Sequence, residues 1–153
     1  MLEETLSFAL IRLIKAHRNL LAGELAKLDL HVGQEMLLNQ LWQEDGVSQA
    51  VLIERLGVEP PTVTRTLQRL ERAGLVHRQA EPGPRRVLRV YLTERGRALR
   101  GPVEAVWRKA EERLLAALSE EERAQLRTVV GKMSASLAPY RPRQSKAAEI
   151  SCG

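Results

Sequence analysis

A single cysteine, Cys152, leaves this 153-residue chain without an internal disulfide. No apolar run approaches the ~18–20 residues of a membrane span, which excludes a membrane helix. The opening Met-Leu-Glu-Glu lacks the basic start of a secretory signal, so the chain is expected to stay in the cytoplasm. His17, His31 and His77 are scattered over separate segments without His–Cys–carboxylate spacing, so neither a metal nor a cofactor is expected. No arrangement of nucleophile, base and oxyanion donors is present, nor a glycine-rich phosphate loop, and the chain is not read as an enzyme. Lysine is scarce as well, 5 residues against 19 arginines. What remains is an ordinary globular composition, 44% hydrophobic and 28% charged, long enough for one domain with a real core.

The charge is unevenly spread. Residues 1–47 carry a net −3, residues 48–100 a net +6 and residues 101–153 a net +2, within a total of +5. Every basic residue of the middle block is arginine, eleven of them against five glutamates. The flat arginine fork suits phosphates and guanine edges better than the point charge of lysine does. An anionic partner is therefore expected at the middle block.

Apolar residues recur at helical spacing from Leu2 to about Leu28, which predicts a long first helix with a wide apolar stripe. A second helix is expected over about Val32–Glu44, with Met36, Leu37, Leu41 and Trp42 inward, ending at Asp45-Gly46. A third runs from the cap Ser48 to Leu56 and stops at Gly57; a fourth follows Glu59-Pro60-Pro61 to Ala73, closed by Gly74. The period then changes to two, and Leu75–Ala80 and Val87–Leu92 read as paired strands, with Leu88, Val90 and Leu92 on one face. Thr93 is expected to cap one long helix to about Leu118, bent by Pro102, with Leu99, Val103, Val106, Trp107, Ala110 and Leu114 along one side. Ser119-Glu120-Glu121-Glu122 is a capping box for a last helix bearing Leu126, Val129, Val130, Met133 and Leu137.

Three short helices followed by a hairpin is the order of a winged helix-turn-helix. On the Pro60–Ala73 helix, Val63, Thr66, Leu67 and Leu70 gather on one side. Pro61, Thr64, Arg65, Gln68 and Arg72 gather opposite, flanked by Thr62 and Arg69, with no carboxylate among them. That inventory suits base edges in a major groove: arginine to guanine, glutamine to adenine, threonine to a thymine methyl or a phosphate. Arg85 and Arg86 stand at the hairpin tip, where arginines can enter a minor groove. Together with Ser48, these residues are the expected contacts to double-stranded DNA.

The stretch from Ser48 to Gly96 closely resembles the winged helix of MarR-type regulators. The Pro-Pro-Thr-Val-Thr-Arg start, the Leu-Glu-Arg-Ala-Gly-Leu-Val exit and the closing Leu-Thr-Glu-Arg-Gly carry the resemblance, which extends over about Leu2–Leu137. It implies a mainly α fold with a small β-hairpin wing, a winged helix-turn-helix plus a helical dimerisation domain. Residues 1–31 and 94–138 would form the dimerisation region, 32–93 the DNA-binding domain and 139–153 a tail. It further implies a homodimeric repressor on pseudo-palindromic DNA, released in many members by a small aromatic acid. His17, Arg18, Trp42 and Trp107 are the residues it places at such an effector cleft. Two positions depart from the pattern: Pro84 stands where the wing has an aspartate, and Glu59 where the helix has a serine cap. Two other readings stay open on the residues, a winged-helix protein-interaction module that does not bind DNA and a thiol sensor using Cys152.

Overall fold

The computed structural model describes residues 1–140. Cys152 and most of the expected tail lie outside them. Helix α1 spans Leu6–Ala26, later than its apolar spacing suggests. Thr5 is extended and its hydroxyl accepts the Phe8 N–H at 3.2 Å, which fixes the start, while Leu2–Glu4 form a separate 3-10 turn. Helix α2, Gln34–Gln43, starts at Gly33, which has a φ of +102° and offers no capping side chain. The Glu35 carboxylate takes the free Gly33 N–H instead, at 2.7 Å. Leu37, Leu38 and Leu41 of α2 are buried, whereas Met36, expected inward, is 44% exposed. The buried stripe runs through 34, 37, 38 and 41, and Met36 falls ~200° around from Gln34 at ~100° per residue.

A two-residue strand, β1 (Val47–Ser48), has no counterpart in the sequence reading. It leads into α3 (Gln49–Leu56), whose start is capped by the Ser48 hydroxyl accepting the Val51 N–H at 3.2 Å. Gly57, in the left-handed region at φ +61°, ends α3 and turns the chain into α4 (Pro60–Arg72). Strands β2 (Val76–Ala80) and β3 (Leu88–Leu92) pair antiparallel, with Val76 opposite Leu92 and Ala80 opposite Leu88. β1 adds to the other edge of β3 through Val47–Val90 and Ser48–Arg89, giving the order β1-β3-β2. Val90 and Leu92 are buried, but Leu88 on the same face lies beyond the core and is exposed.

The long helix expected after Thr93 is two helices. α5 covers Glu94–Ala98 and α6 covers Arg100–Leu114, with the break at Leu99. Pro102 has no N–H to give the Ala98 carbonyl, so the ladder is interrupted one turn before the proline rather than bent at it. Residues 115–118 turn the chain, and α7 (Glu120–Ser136) starts at the expected capping box, with Ser119 and Glu122 satisfying each other's backbone N–H groups. One buried cluster joins Leu21 and Leu25 of α1, the leucines of α2 to α4, the strands, and Val103, Val106 and Ala110 of α6. α7 contributes nothing to it: none of its residues is buried. Among the described residues no helix is long and apolar enough to cross a membrane.

Candidate nucleic-acid interface

Helix α4 buries Val63, Leu67 and Leu70, each at most 1% exposed, and so fixes which side faces out. Pro60 and Pro61 occupy its first two positions, where a missing N–H costs nothing. Pro61, Thr62, Arg65, Gln68, Arg69 and Arg72 are exposed. The guanidinium groups of Arg65 and Arg69 have no hydrogen-bond or ion-pair partner among the described residues, and that of Arg72 reaches only the Gln68 carbonyl, at 3.4 Å. Thr64 differs from the rest. It is half-buried, accepts the Gln49 side-chain amide at 3.1 Å and donates to the Pro60 carbonyl at 3.1 Å. Sequence spacing grouped Thr64 with the outward residues and gave no sign of Gln49.

Two acidic side chains near this face are occupied, whereas Glu59, at the start of α4, is exposed and its side chain caps no backbone N–H. Glu71 accepts from both the guanidinium and the backbone N–H of Arg78, at 2.7 and 3.2 Å. The Arg78 hydrogen bond holds the Glu71 carboxyl below the usual carboxylate range. In the wing, Glu81 accepts from Arg89 at 3.0 Å, and the Arg89 guanidinium also donates to the Gly46 carbonyl at 3.0 Å. Glu81 makes Arg89 hold its proton more firmly still. The wing therefore steadies Arg89 with a carboxylate, while the exposed Arg86 has no ion-pair partner among the described residues. Arg85 is exposed beside it at the tip.

This sorting accounts for the +6 block. Of its arginines, Arg55, Arg78, Arg89, Arg97 and Arg100 are in ion pairs, with Glu44, Glu71, Glu81, Asp45 and Glu104. Arg95 donates to the Ala73 carbonyl at 3.0 Å, at the end of α4. Arg65, Arg69, Arg72 and Arg86 carry no ion pair among the described residues, and they lie on α4 and the wing. Within this block the positive charge without a carboxylate partner is thus concentrated on a helix and an adjoining hairpin, an arrangement suited to a phosphate backbone that leaves polar side chains for base edges. Ser48 sits where α3 begins, half-buried, opposite Arg89 in the β1–β3 register.

The four residues expected at an effector cleft separate into two groups. His17 of α1 meets Trp107 of α6 edge to face, with ring centroids 6.1 Å apart, and Arg18 is exposed beside His17. Trp42 is committed elsewhere: its indole N–H donates to the Gly96 carbonyl at 2.9 Å and ties α2 to α5. Sequence reasoning missed Glu35, whose carboxylate is 2% exposed near Arg18. Burial pushes the Glu35 pKa up, against the opposing pull of backbone hydrogen bonds and of Arg18. A cavity of about 320 Å³ lies between α6 and α7, lined by Arg108, Glu111, Leu115, Arg123 and Arg127 among others, and it includes none of the four expected residues. Among the described residues no group of three His, Cys, Asp or Glu could hold a metal, and His77 stacks on Tyr91 at 5.5 Å.

Residues 30–88 match the family model described as the MarR family. The chain is also similar to solved structures along most of its length. It is 28% identical to S. aureus MepR in a complex with DNA, covering 87% of this chain and 98% of that one, with a TM-score of 0.79. It is 31% identical to a Mycobacterium tuberculosis MarR family protein in a complex with DNA, covering 84% and 97%, with a TM-score of 0.68. The Mycobacterium tuberculosis protein in a complex with p-aminosalicylic acid is 33% identical, covering 85% and 98%, with a TM-score of 0.66.

Proposed function

The chain belongs to the MarR family of transcriptional regulators, and from that premise we propose that it is a homodimeric repressor that grips pseudo-palindromic duplex DNA with α4 and the wing. One observation carries the reading: within residues 48–100, four exposed arginines without an ion pair among the described residues, Arg65, Arg69, Arg72 and Arg86, are gathered on α4 and the wing tip. Arg65, Gln68 and Thr64 would read base edges in the major groove, with Thr62, Arg69, Arg72 and Pro61 placed along its walls. Arg85 and Arg86 would work the minor groove, and the Ser48 hydroxyl a phosphate at the start of α3.

The second protomer is supported by what the first leaves bare. Leu6, Ile11 and Ile14 of α1 and Leu126, Val129, Val130 and Leu137 on or beside α7 are 41–69% exposed. A large apolar surface of this kind marks an interface. Residues 1–31 and 94–138 then serve as the dimerisation region and 32–93 as the DNA-binding part, with the two α4 helices entering major grooves roughly 34 Å apart. The complexes with DNA of S. aureus MepR and of the Mycobacterium tuberculosis protein support the duplex partner. The p-aminosalicylic acid complex of the latter supports an aromatic acid as releasing ligand, for which the His17–Trp107 pair with Arg18 offers ring contacts and a cation.

A gel shift against fragments selected from genomic DNA tests the reading. A shift at low salt that weakens steeply as salt rises is expected, because each phosphate contact releases a counterion. No shift at low salt would favour a winged-helix module whose basic face binds protein.

A further inference from the structure

The hydroxyl of Thr64 has already committed its one hydrogen. It donates to the Pro60 carbonyl at 3.1 Å and accepts from Gln49 Nε2 at 3.1 Å. A hydroxyl owns a single donor, so this one has none for a phosphate oxygen or for a base acceptor such as thymine O4. What the side chain still has to offer a groove is its γ-methyl. Gln49 holds it this way. Gln49 is the first residue of α3 and follows β1 directly, so its place is set by the strand pairing to β3. Its Oε1 is buried with no partner among the described residues, a cost that an exposed glutamine would avoid by turning to water. The amide is therefore fixed by the packing of α3 against α4, and Thr64 is fixed with it. Thr64, half-buried, also stands one turn before Gln68 and next to Arg65, both of which are exposed.

We propose that Gln49 locks Thr64 as a methyl reader, so that α4 selects the C5-methyl of one thymine in each half-site. This rests on α4 being the DNA-reading helix. Gln49 acts as a positioning residue and touches no base itself.

Replacing each thymine of a selected duplex in turn by deoxyuridine removes one methyl and nothing else. The parent should lose about fourfold in affinity at one thymine per half-site, the worth of one apolar carbon. Thr64→Val keeps a methyl but discards the hydroxyl that Gln49 holds, so it should weaken the discrimination at that thymine as Gln49→Met does, without abolishing it. Thr64→Ser keeps the hydroxyl and discards the methyl, so it should bind the thymine and deoxyuridine duplexes equally, about fourfold below the parent on thymine. Gln49→Met should weaken discrimination at that thymine and leave the others unchanged. Thr64→Ser retaining the parent's discrimination would overturn the proposal, as would a folded Gln49→Met that discriminates as fully as the parent. If Gln49→Met does not fold, Thr64→Val, which breaks the same bond, takes its place. A parent that shifts no duplex would instead sink the DNA reading, and that outcome is seen before any thymine is altered.

Discussion

Arginines in this chain have two occupations, and only the three-dimensional structure separates them. Arg78 and Arg89 stand in the same basic block as Arg65 and Arg86, and nothing in their sequence neighbourhoods tells them apart. Glu71 lies seven residues before Arg78 and Glu81 eight before Arg89, separations bridged only once the chain packs β2 against α4 and pairs it with β3. Side-chain type and spacing therefore pointed to the outward residues of α4, but could not say that Thr64 is tied to Gln49. The arginines without ion pairs lead to contrasting expectations. Arg65→Ala should cost ~1–3 kcal/mol on the specific duplex and relax its sequence preference, read by competition with single-base variants. Arg86→Ala should weaken all duplexes similarly and reduce the salt slope by about one ion, read from affinity against salt. Equal behaviour of both variants and the parent would remove these side chains from the interface.

Glu35 is a second matter at the residue scale. Its folded pKa lies above the ordinary 4.5, so the folded state holds the proton more tightly than the unfolded one does. This contribution to stability is full below about pH 4.5 and is lost as pH rises through the folded pKa. Glu35→Gln can still accept the Gly33 N–H but cannot ionise. The melting temperature of the variant relative to the parent should therefore rise from pH 4 towards pH 7. A difference that stays flat, or that falls with pH, would show that the buried carboxylate is not destabilised by its surroundings.

At the scale of elements, what was legible is what local chemistry decides. Pro-Pro followed by Gly74 framed α4, Ser48 and Gly57 framed α3, and the Ser119–Glu122 box framed the start of α7. What was not legible depends on partners distant in the chain. β1 is two residues long and exists because Val90 and Arg89 lie opposite it. Leu38 displaced Met36 from the core because the placement of α2, not its own pattern, chose the stripe. The break at Leu99 was half-read, since Pro102 announced it but the lost hydrogen bond belongs to Ala98, a turn earlier. The junction of α5 with the sheet also has a strict requirement. A Cβ on Gly96 would overlap the Leu75 carbonyl oxygen, while the Gly96 carbonyl holds the Trp42 indole. Gly96→Ala should destabilise the fold by at least ~1–3 kcal/mol, as overpacking of a backbone contact does, and lower the thermal midpoint. An unchanged midpoint would mean that α5 has room to move off the strand.

For the whole molecule, the net charge of +5 averages two unlike parts. One is a basic face on α4 and the wing. The other is a frame of α1, α6 and α7 that gives some apolar side chains to the core and leaves others, such as Ile11, Leu114 and Val130, exposed in a single chain. α7 has no buried residue, although a helix of 17 residues is rarely kept in place without an apolar contact. The wide stripes were legible as helical spacing, but their being bare became visible only once the core was seen to close without them. Val130→Glu, on a residue 49% exposed in one protomer, should therefore leave secondary structure intact and shift sedimentation from dimer towards monomer. DNA affinity should fall in parallel, because half the phosphate contacts go with the second protomer. A variant that sediments and binds like the parent would place the dimer contact elsewhere.

Hydroxyl-radical footprinting on a selected duplex tests most directly whether two copies of α4 enter neighbouring major grooves with the wings beside them. Two protected patches centred about one helical turn apart, ~34 Å, are expected, each flanked by minor-groove protection that Arg86→Ala removes. A single unrepeated patch, or no protection at low salt, would contradict that arrangement.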